Sequence, residues 1–274
     1  MEGRGTAVLA LATPVLAGIA YLTMLGAPND YWITNAAALV LAVAAILLTP
    51  SLSGGRARHT VTLLLIALLF LPLVTGPYVN GIARWLPLGP FAVHSGALAL
   101  PPLVVLAARD EDFAPSILLA ALLAASLQPD AATGLAVMLA AVGLYNATGD
   151  WRLVPVAGIA LLASMVAGLR GELPAQPFVE RILIHLAIDT PLAAFGLVIA
   201  LLVSFFLLAY AIPAPKPVRH ALAGALFGFS LAALVSNYPT ILVGYGAAPI
   251  LGFGLAIGLA ITGRPRRATN GPTS

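Results

Sequence analysis

Asp189 is the side chain in this sequence with the clearest chemical potential. It ends the apolar run Ile182–Ile188, broken only by His185, and it precedes Thr190-Pro191. A carboxylate at the edge of a greasy segment is costly unless it is wet or paired, which makes Asp189 a candidate functional-site residue. His185 stands four residues earlier, within reach if the stretch is helical. The same aspartate would also cap a helix starting at Pro191, and the two readings are compatible. Asp130, in Gln128-Pro129-Asp130 with Thr133 three residues on, has a similar double reading as a helix cap or a site carboxylate. Arg84 could grip a phosphate through its planar fork or, beside Trp85, anchor the chain among lipid headgroups. His59, His94, His185 and His220 are scattered, and the spacing supports no metal site and calls for no cofactor. The absence of cysteine excludes disulfides, thiolate ligands and a cysteine nucleophile. There is no phosphate-binding Gly-Lys-Ser/Thr loop, dinucleotide fingerprint or G-x-S-x-G elbow.

The elements that position these residues are set by composition. Of 274 residues, 61% are hydrophobic and 8% charged, and the mean hydropathy is +1.02. A soluble domain carries charge on about a quarter of its residues, so lipid is the main solvent here. Apolar runs at Ala7–Leu25, Thr34–Leu48, Thr60–Val74, Phe91–Ala107, Phe113–Ser126, Ala131–Tyr145, Leu153–Ala167, Leu186–Ala211, Ala221–Val235 and Thr240–Ile261 predict an all-α polytopic membrane bundle of about ten transmembrane helices. Recurrent alanine and glycine suit close helix packing in lipid. Residues 1–263 form a single transmembrane domain by this reading, and 264–274 a disordered cytoplasmic tail whose Arg264, Arg266 and Arg267 face anionic lipid.

Charge orients the bundle. With the amino terminus inside, the inner links hold Arg4, Arg56, Arg58, Arg109, Arg152, Lys216, Arg219, Arg264, Arg266 and Arg267, and the outer links only Arg84, Arg170 and Arg181. The positive-inside rule then puts both termini in the cytoplasm. The basic residues lie in short links, so the formal charge of +3 is no nucleic-acid signal. Alternation brings Asn80–Pro90, Gln128–Asp130, Arg170–Asp189 and Asn237–Pro249 to one outer face.

The string Val79-Asn80-Gly81-Ile82-Ala83-Arg84-Trp85-Leu86-Pro87-Leu88-Gly89-Pro90-Phe91 resembles the signature of the SEDS family, which serves cell shape, elongation, division and sporulation. Gln128-Pro129-Asp130 with Thr133 is similar to that family's second motif, and Val243-Gly244-Tyr245-Gly246 to its Ile-Ser-Tyr-Gly. The resemblance implies a membrane glycosyltransferase that polymerises lipid II, or a related undecaprenyl-diphosphate-linked sugar, into peptidoglycan at the outer face. It places Asp189 as the base that deprotonates an acceptor hydroxyl, and Arg84 or Arg170 against the diphosphate. Asn80, Trp85, Gln128, Asp130, Thr133, His185 and Tyr245 then complete the substrate site. A single-span transpeptidase is the implied protein partner, beside membrane lipids.

Several positions depart from the family pattern. Gln-Pro-Ser-Glu and a later lysine become His94-Ser95-Gly96-Ala97 and Leu100, and Ser-Tyr-Gly-Gly-Ser-Ser becomes Gly244-Tyr245-Gly246-Ala247-Ala248-Pro249. The alternatives are a non-catalytic paralogue that holds envelope-synthesis proteins, and a flippase or transporter, which the nearly charge-free central spans disfavour.

Overall fold

The computed structural model describes residues 3–52, 54–89 and 91–262. Pro90 and the expected tail with Arg264, Arg266 and Arg267 lie outside the described residues. The chain runs through α1 (Arg4–Met24), α2 (Asn29–Leu48), α3 (Gly55–Phe70), the short α4 (Pro72–Thr75), a hairpin of β1 (Trp85–Leu88) and β2 (Phe91–His94), α5 (Ser95–Ala107), α6 (Ala114–Leu127), α7 (Ala131–Thr148), α8 (Leu153–Arg170), α9 (Ile182–Asp189), α10 (Pro191–Phe206) with a π turn at Leu207–Ala211, α11 (Lys216–Val235) and α12 (Ala247–Thr262). Seven helices are long and apolar enough to cross a membrane, counting α3 with α4 and α10 with its π turn as continuous spans. Three shorter apolar helices, α5, α6 and α12, complete the set of about ten. The outer surface is greasy: Val40, Leu48, Leu63, Leu162, Leu169 and Leu192 are exposed, as lipid-facing positions of a polytopic bundle are.

α5 sits at the centre. All its residues except Leu98 are buried, and it touches α3, α6, α7, α11 and α12. Its 13 residues rise only about 20 Å, which is tolerable for a helix shielded from lipid by its neighbours. Pro101 and Pro102 lack the N–H groups that would bond the carbonyls of Ala97 and Leu98. Gly252 of α12 packs its bare Cα against those two carbonyls, where a side chain would collide.

Close glycine contacts also fix the helix directions. Gly143, Gly224 and Gly228 lie against the backbones of His220, Leu139 and Leu135, so α7 and α11 run antiparallel. Gly134 meets Ser164 and Gly168 meets Ala131, which makes α8 antiparallel to α7. α12 runs parallel to α2, with Gly254 on Ala42 and Gly258 on Ala45. The bundle therefore has a hairpin end, which gathers the links carrying Arg84, Gln128, Arg170 and Tyr245. Arg4, Arg56, Arg58, Arg109, Arg152, Lys216 and Arg219 belong to the other end.

Three expected spans start differently. Residues 91–94 are a strand, because the chain turns at Gly89, φ 58°, and pairs them with 85–88, Trp85 opposite His94 and Leu88 opposite Phe91. The run 186–211 is divided: Pro191 cannot continue a helix from Ile182, so α9 ends at Asp189 and α10 begins anew. Residues 240–246 are not helical, with Leu242 and Gly246 at φ of 64° and 153°.

Candidate functional site

At the hairpin end, a cavity of about 640 Å3 opens between α2, the hairpin and the segment before α12. Its wall is mostly apolar, from Ala38, Val93, Phe229 and Leu251, and its polar groups include Trp85, His94, Thr240 and Tyr245. Ile33, Ala37 and Leu41 of α2 line it and are exposed on the lipid side, so the cavity has a lateral mouth.

The hairpin wall is held by a buried polar cluster. Asp130 begins α7: its Oδ1 accepts the Thr133 N–H at 3.1 Å and its Oδ2 accepts the Thr133 hydroxyl, a side-chain cap on two donors of the first turn. Gly96 is needed opposite, because a Cβ there would collide with the Thr133 hydroxyl. Arg84 is 3% exposed; one Nη donates to the Gly171 carbonyl at 2.8 Å and the other lies 4.0 Å from Asp130. Its guanidinium stands 5.0 Å from the rings of both Trp85 and Tyr238. The Tyr238 hydroxyl accepts the Ala131 N–H at 3.0 Å, so this ring fixes the same helix start.

His94 links the cluster to the cavity. Its Nδ1 accepts the Ala97 N–H at 3.2 Å as the cap of α5, which leaves the ring proton on Nε2, 3.5 Å from Asp130 Oδ2. Burial, with a smaller contribution from Arg84, pushes its proton affinity below the usual imidazole range. Ser95 donates its N–H and its hydroxyl to the Arg84 carbonyl at 3.0 and 3.3 Å. Gln128 accepts from the Ser95 hydroxyl at 3.5 Å and donates to the Leu69 carbonyl, tying α6 to α3.

The opposite wall is a stitched pair of links. Asn237 donates to the Leu173 carbonyl at 3.0 Å, Ser236 to Glu172 at 3.2 Å, and Arg181 to Asn237 at 3.3 Å. The Thr240 and Tyr245 N–H groups bond the carbonyls of Val179 and Phe178, each at 2.9 Å. Buried Asn35 clamps the segment to α2, donating to the Gly244 carbonyl and accepting the Gly246 N–H, both at 3.0 Å. Tyr245 stacks on Tyr31 with ring centres 3.9 Å apart.

The expected site residues fall into three groups. Trp85 and Tyr245 line the cavity; Arg84, Gln128, Asp130 and Thr133 are buried in the polar cluster that supports its wall. Asn80 is the exposed first residue of a two-residue turn, φ 52° followed by Gly81 at 80°, closed by reciprocal Val79–Ile82 bonds of 2.9 Å. Arg170, at the end of α8, and His185 and Asp189, on α9, are exposed outside the cavity lining. Ile182, Leu183 and Leu186 turn α9 inward onto Val243 and α10. Asp189 does not cap α10; Thr190 occupies that position without a side-chain bond. Asn35, Tyr31 and Tyr238 are site residues with no sequence signal beyond their type, and His94 and Ser95 stood out only as departures from the family pattern. Among the described residues, no three His, Cys, Asp or Glu side chains converge as a metal set.

No protein-family model matches the sequence, and no curated protein does. Solved structures match it over nearly the whole length. Thermus thermophilus rod shape determining protein RodA, in an Asp-to-Ala variant, superposes with a TM-score of 0.69 at 22% identity, over 93% of this chain and 95% of that one. This is the RodA fold. Unmutated RodA from the same organism gives 0.64 at 22% identity, over 93% and 94%. A chain from a peptidoglycan synthase complex studied for its coordination of polymerization and crosslinking gives 0.60 at 21% identity, over 94% and 96%. The RodA-like bundle thus accounts for the span order, with the motif-bearing links gathered at its hairpin end.

Proposed function

We propose that this chain is a SEDS-type glycosyltransferase of peptidoglycan synthesis, acting on lipid II or a related undecaprenyl-diphosphate-linked sugar at the outer face of a bacterial inner membrane. The observation that carries the reading is the RodA fold over nearly the whole chain, with the family-like motifs around one lateral cavity at one end. An apolar cavity with a mouth toward lipid suits a polyprenyl chain, which can enter sideways without leaving the hydrocarbon layer. The basic residues at the opposite end favour a cytoplasmic position for that end, so the hairpin end faces outward.

In this mechanism Asp189, exposed at the hairpin end, takes the proton of an acceptor sugar hydroxyl. The oxygen attacks the anomeric carbon of the donor with inversion, and the carbon–oxygen bond electrons leave with the undecaprenyl diphosphate. Exposed Arg170 is the candidate to steady that diphosphate, whereas buried Arg84 keeps Trp85 and the hairpin wall in place. Asn80 sets the turn that leads into this wall, His185 and Tyr245 contact the saccharide side, and Gln128, Asp130 and Thr133 brace the floor. The likeness to a chain of a peptidoglycan synthase complex supports a single-span transpeptidase as the partner in this reading. The second reading, a non-catalytic partner of envelope enzymes, is favoured by a cavity wall with no carboxylate and no Lys or Arg.

Polymerisation from purified lipid II, with the transpeptidase present, separates the two. Glycan product from the wild type and none from Asp189→Ala supports catalysis. Equal product from both excludes Asp189 as the base. No product from either, with a transpeptidase that still co-purifies, favours the partner role.

A further inference from the structure

A second cavity, of about 380 Å3, lies at the other end of the bundle, between α3 and α6. Leu63, Ile66 and Ile117 give it an apolar body, and Leu63 is exposed toward lipid. His59 and Asp110 line it as a pair, Nε2 to Oδ2 3.3 Å apart. The other Asp110 oxygen accepts the Phe113 N–H at 3.2 Å, which fixes the carboxylate, and the Phe113 ring stands edge-on to His59 at 6.3 Å.

The neighbouring cations are committed elsewhere. Arg109 donates to the carbonyls of Leu259 and Ala260 at 2.6 and 3.0 Å, where it caps the end of α12. Arg152 pairs with Asp150 at 3.0 Å and donates to the Glu111 carbonyl at 2.6 Å. Among the described residues His59 is the one ion-pair partner of Asp110, whose side chain keeps 24% of its surface exposed. Arg58 immediately precedes His59 on α3, at the same end of the bundle. An apolar slot therefore ends in a fixed, part-exposed carboxylate with the Phe113 ring and the His59 imidazole beside it.

We propose that this slot binds an amino-phospholipid of the phosphatidylethanolamine type. The ammonium sits on Asp110, the phosphate faces Arg58 and His59, and an acyl chain lies along Leu63, Ile66 and Ile117. A phosphatidylglycerol headgroup brings the same phosphate but only neutral hydroxyls to Asp110, which leaves the carboxylate without a cation from the lipid. A choline headgroup has no N–H to donate to Asp110 or to the Ser116 hydroxyl, so the primary ammonium makes the stronger charge-assisted bonds. The Phe113 ring adds a cation–π surface.

The test is native mass spectrometry of the purified, delipidated full chain titrated with phosphatidylethanolamine, phosphatidylglycerol and phosphatidylcholine of matched acyl chains. The expected preference for phosphatidylethanolamine is about tenfold, one extra charge-assisted hydrogen bond. Asp110→Asn, which keeps an acceptor for the Phe113 N–H, should reduce phosphatidylethanolamine to the level of phosphatidylcholine while thermal unfolding stays unchanged. Ser116→Phe, which fills the slot from an exposed position, should weaken that binding as well. Equal affinities for the three lipids, a preference for phosphatidylglycerol, or a phosphatidylethanolamine preference that survives Asp110→Asn would overturn the proposal.

Discussion

Replacing Asp130 with Asn tests whether the hairpin wall stands on charge or on capping. Asp130 and Arg84 are 1% and 3% exposed, with Oδ1 and Nη1 4.0 Å apart. At an effective dielectric of about 20, unit charges at this separation attract by about 4 kcal/mol. Breaking one side of a buried pair costs about 3–5 kcal/mol, because the remaining charge has no water. Asn keeps an oxygen for the Thr133 N–H, so Asp130→Asn isolates the charge and should cost about 3–4 kcal/mol. Asp130→Ala also removes the cap and should cost about 1 kcal/mol more. In Arg84→Met with Asp130→Asn, neither charge is left alone. That double variant should be more stable than the sum of the single losses by about 2–3 kcal/mol. Equilibrium unfolding in mixed detergent micelles reads all four. A loss below about 1 kcal/mol for Asp130→Asn, or strict additivity in the cycle, would refute the pairing argument.

Two further perturbations follow from the same contacts. A methyl at Gly224 meets the Leu139 carbonyl across the α7–α11 seam, whereas nothing stands within 4 Å of one at Gly158. Gly224→Ala should therefore destabilise by about 1–3 kcal/mol, and Gly158→Ala, inside α8, should stabilise by up to about 1 kcal/mol in the same unfolding assay. Because His94 has a lowered proton affinity in the fold, the unfolded chain takes up its proton first as pH drops below about 6.5. Its contribution to stability is whole above that pH and declines as pH falls toward the folded value. His94→Asn, which retains a cap acceptor, should remove this dependence, so that the wild-type-minus-variant stability difference shrinks as pH falls from 7 to 5.

The spans were legible because lipid imposes long apolar runs, and the Asp130–Thr133 cap because it is a local interaction between side chain and backbone. Where the sequence misled, local competition decided. Residues 91–94 are as apolar as a helix, yet the turn at Gly89 pairs them with β1. Pro191 makes two helices of one apolar run. The site was only partly legible because its polar contacts are long-range: Arg84 meets Gly171, 87 positions away, and Asn35 meets Gly244, 209 away. Asp189 was picked by its rarity in a greasy run, a signal of exposure to water as much as of a cavity. The structure leaves Asp189 exposed and gives the cavity to Trp85, His94 and Tyr245.

Photo-crosslinking bears most directly on the account, using a polyprenyl-diphosphate saccharide with a photoreactive isoprenoid and mass-spectrometric mapping of the adducts. Labelling should concentrate on residues 33–41 and 247–251, the α2 and α12 faces of the lateral cavity. Adducts spread over the lipid-facing surface of α8 and α10, at a level unchanged by excess unlabelled substrate, would contradict it.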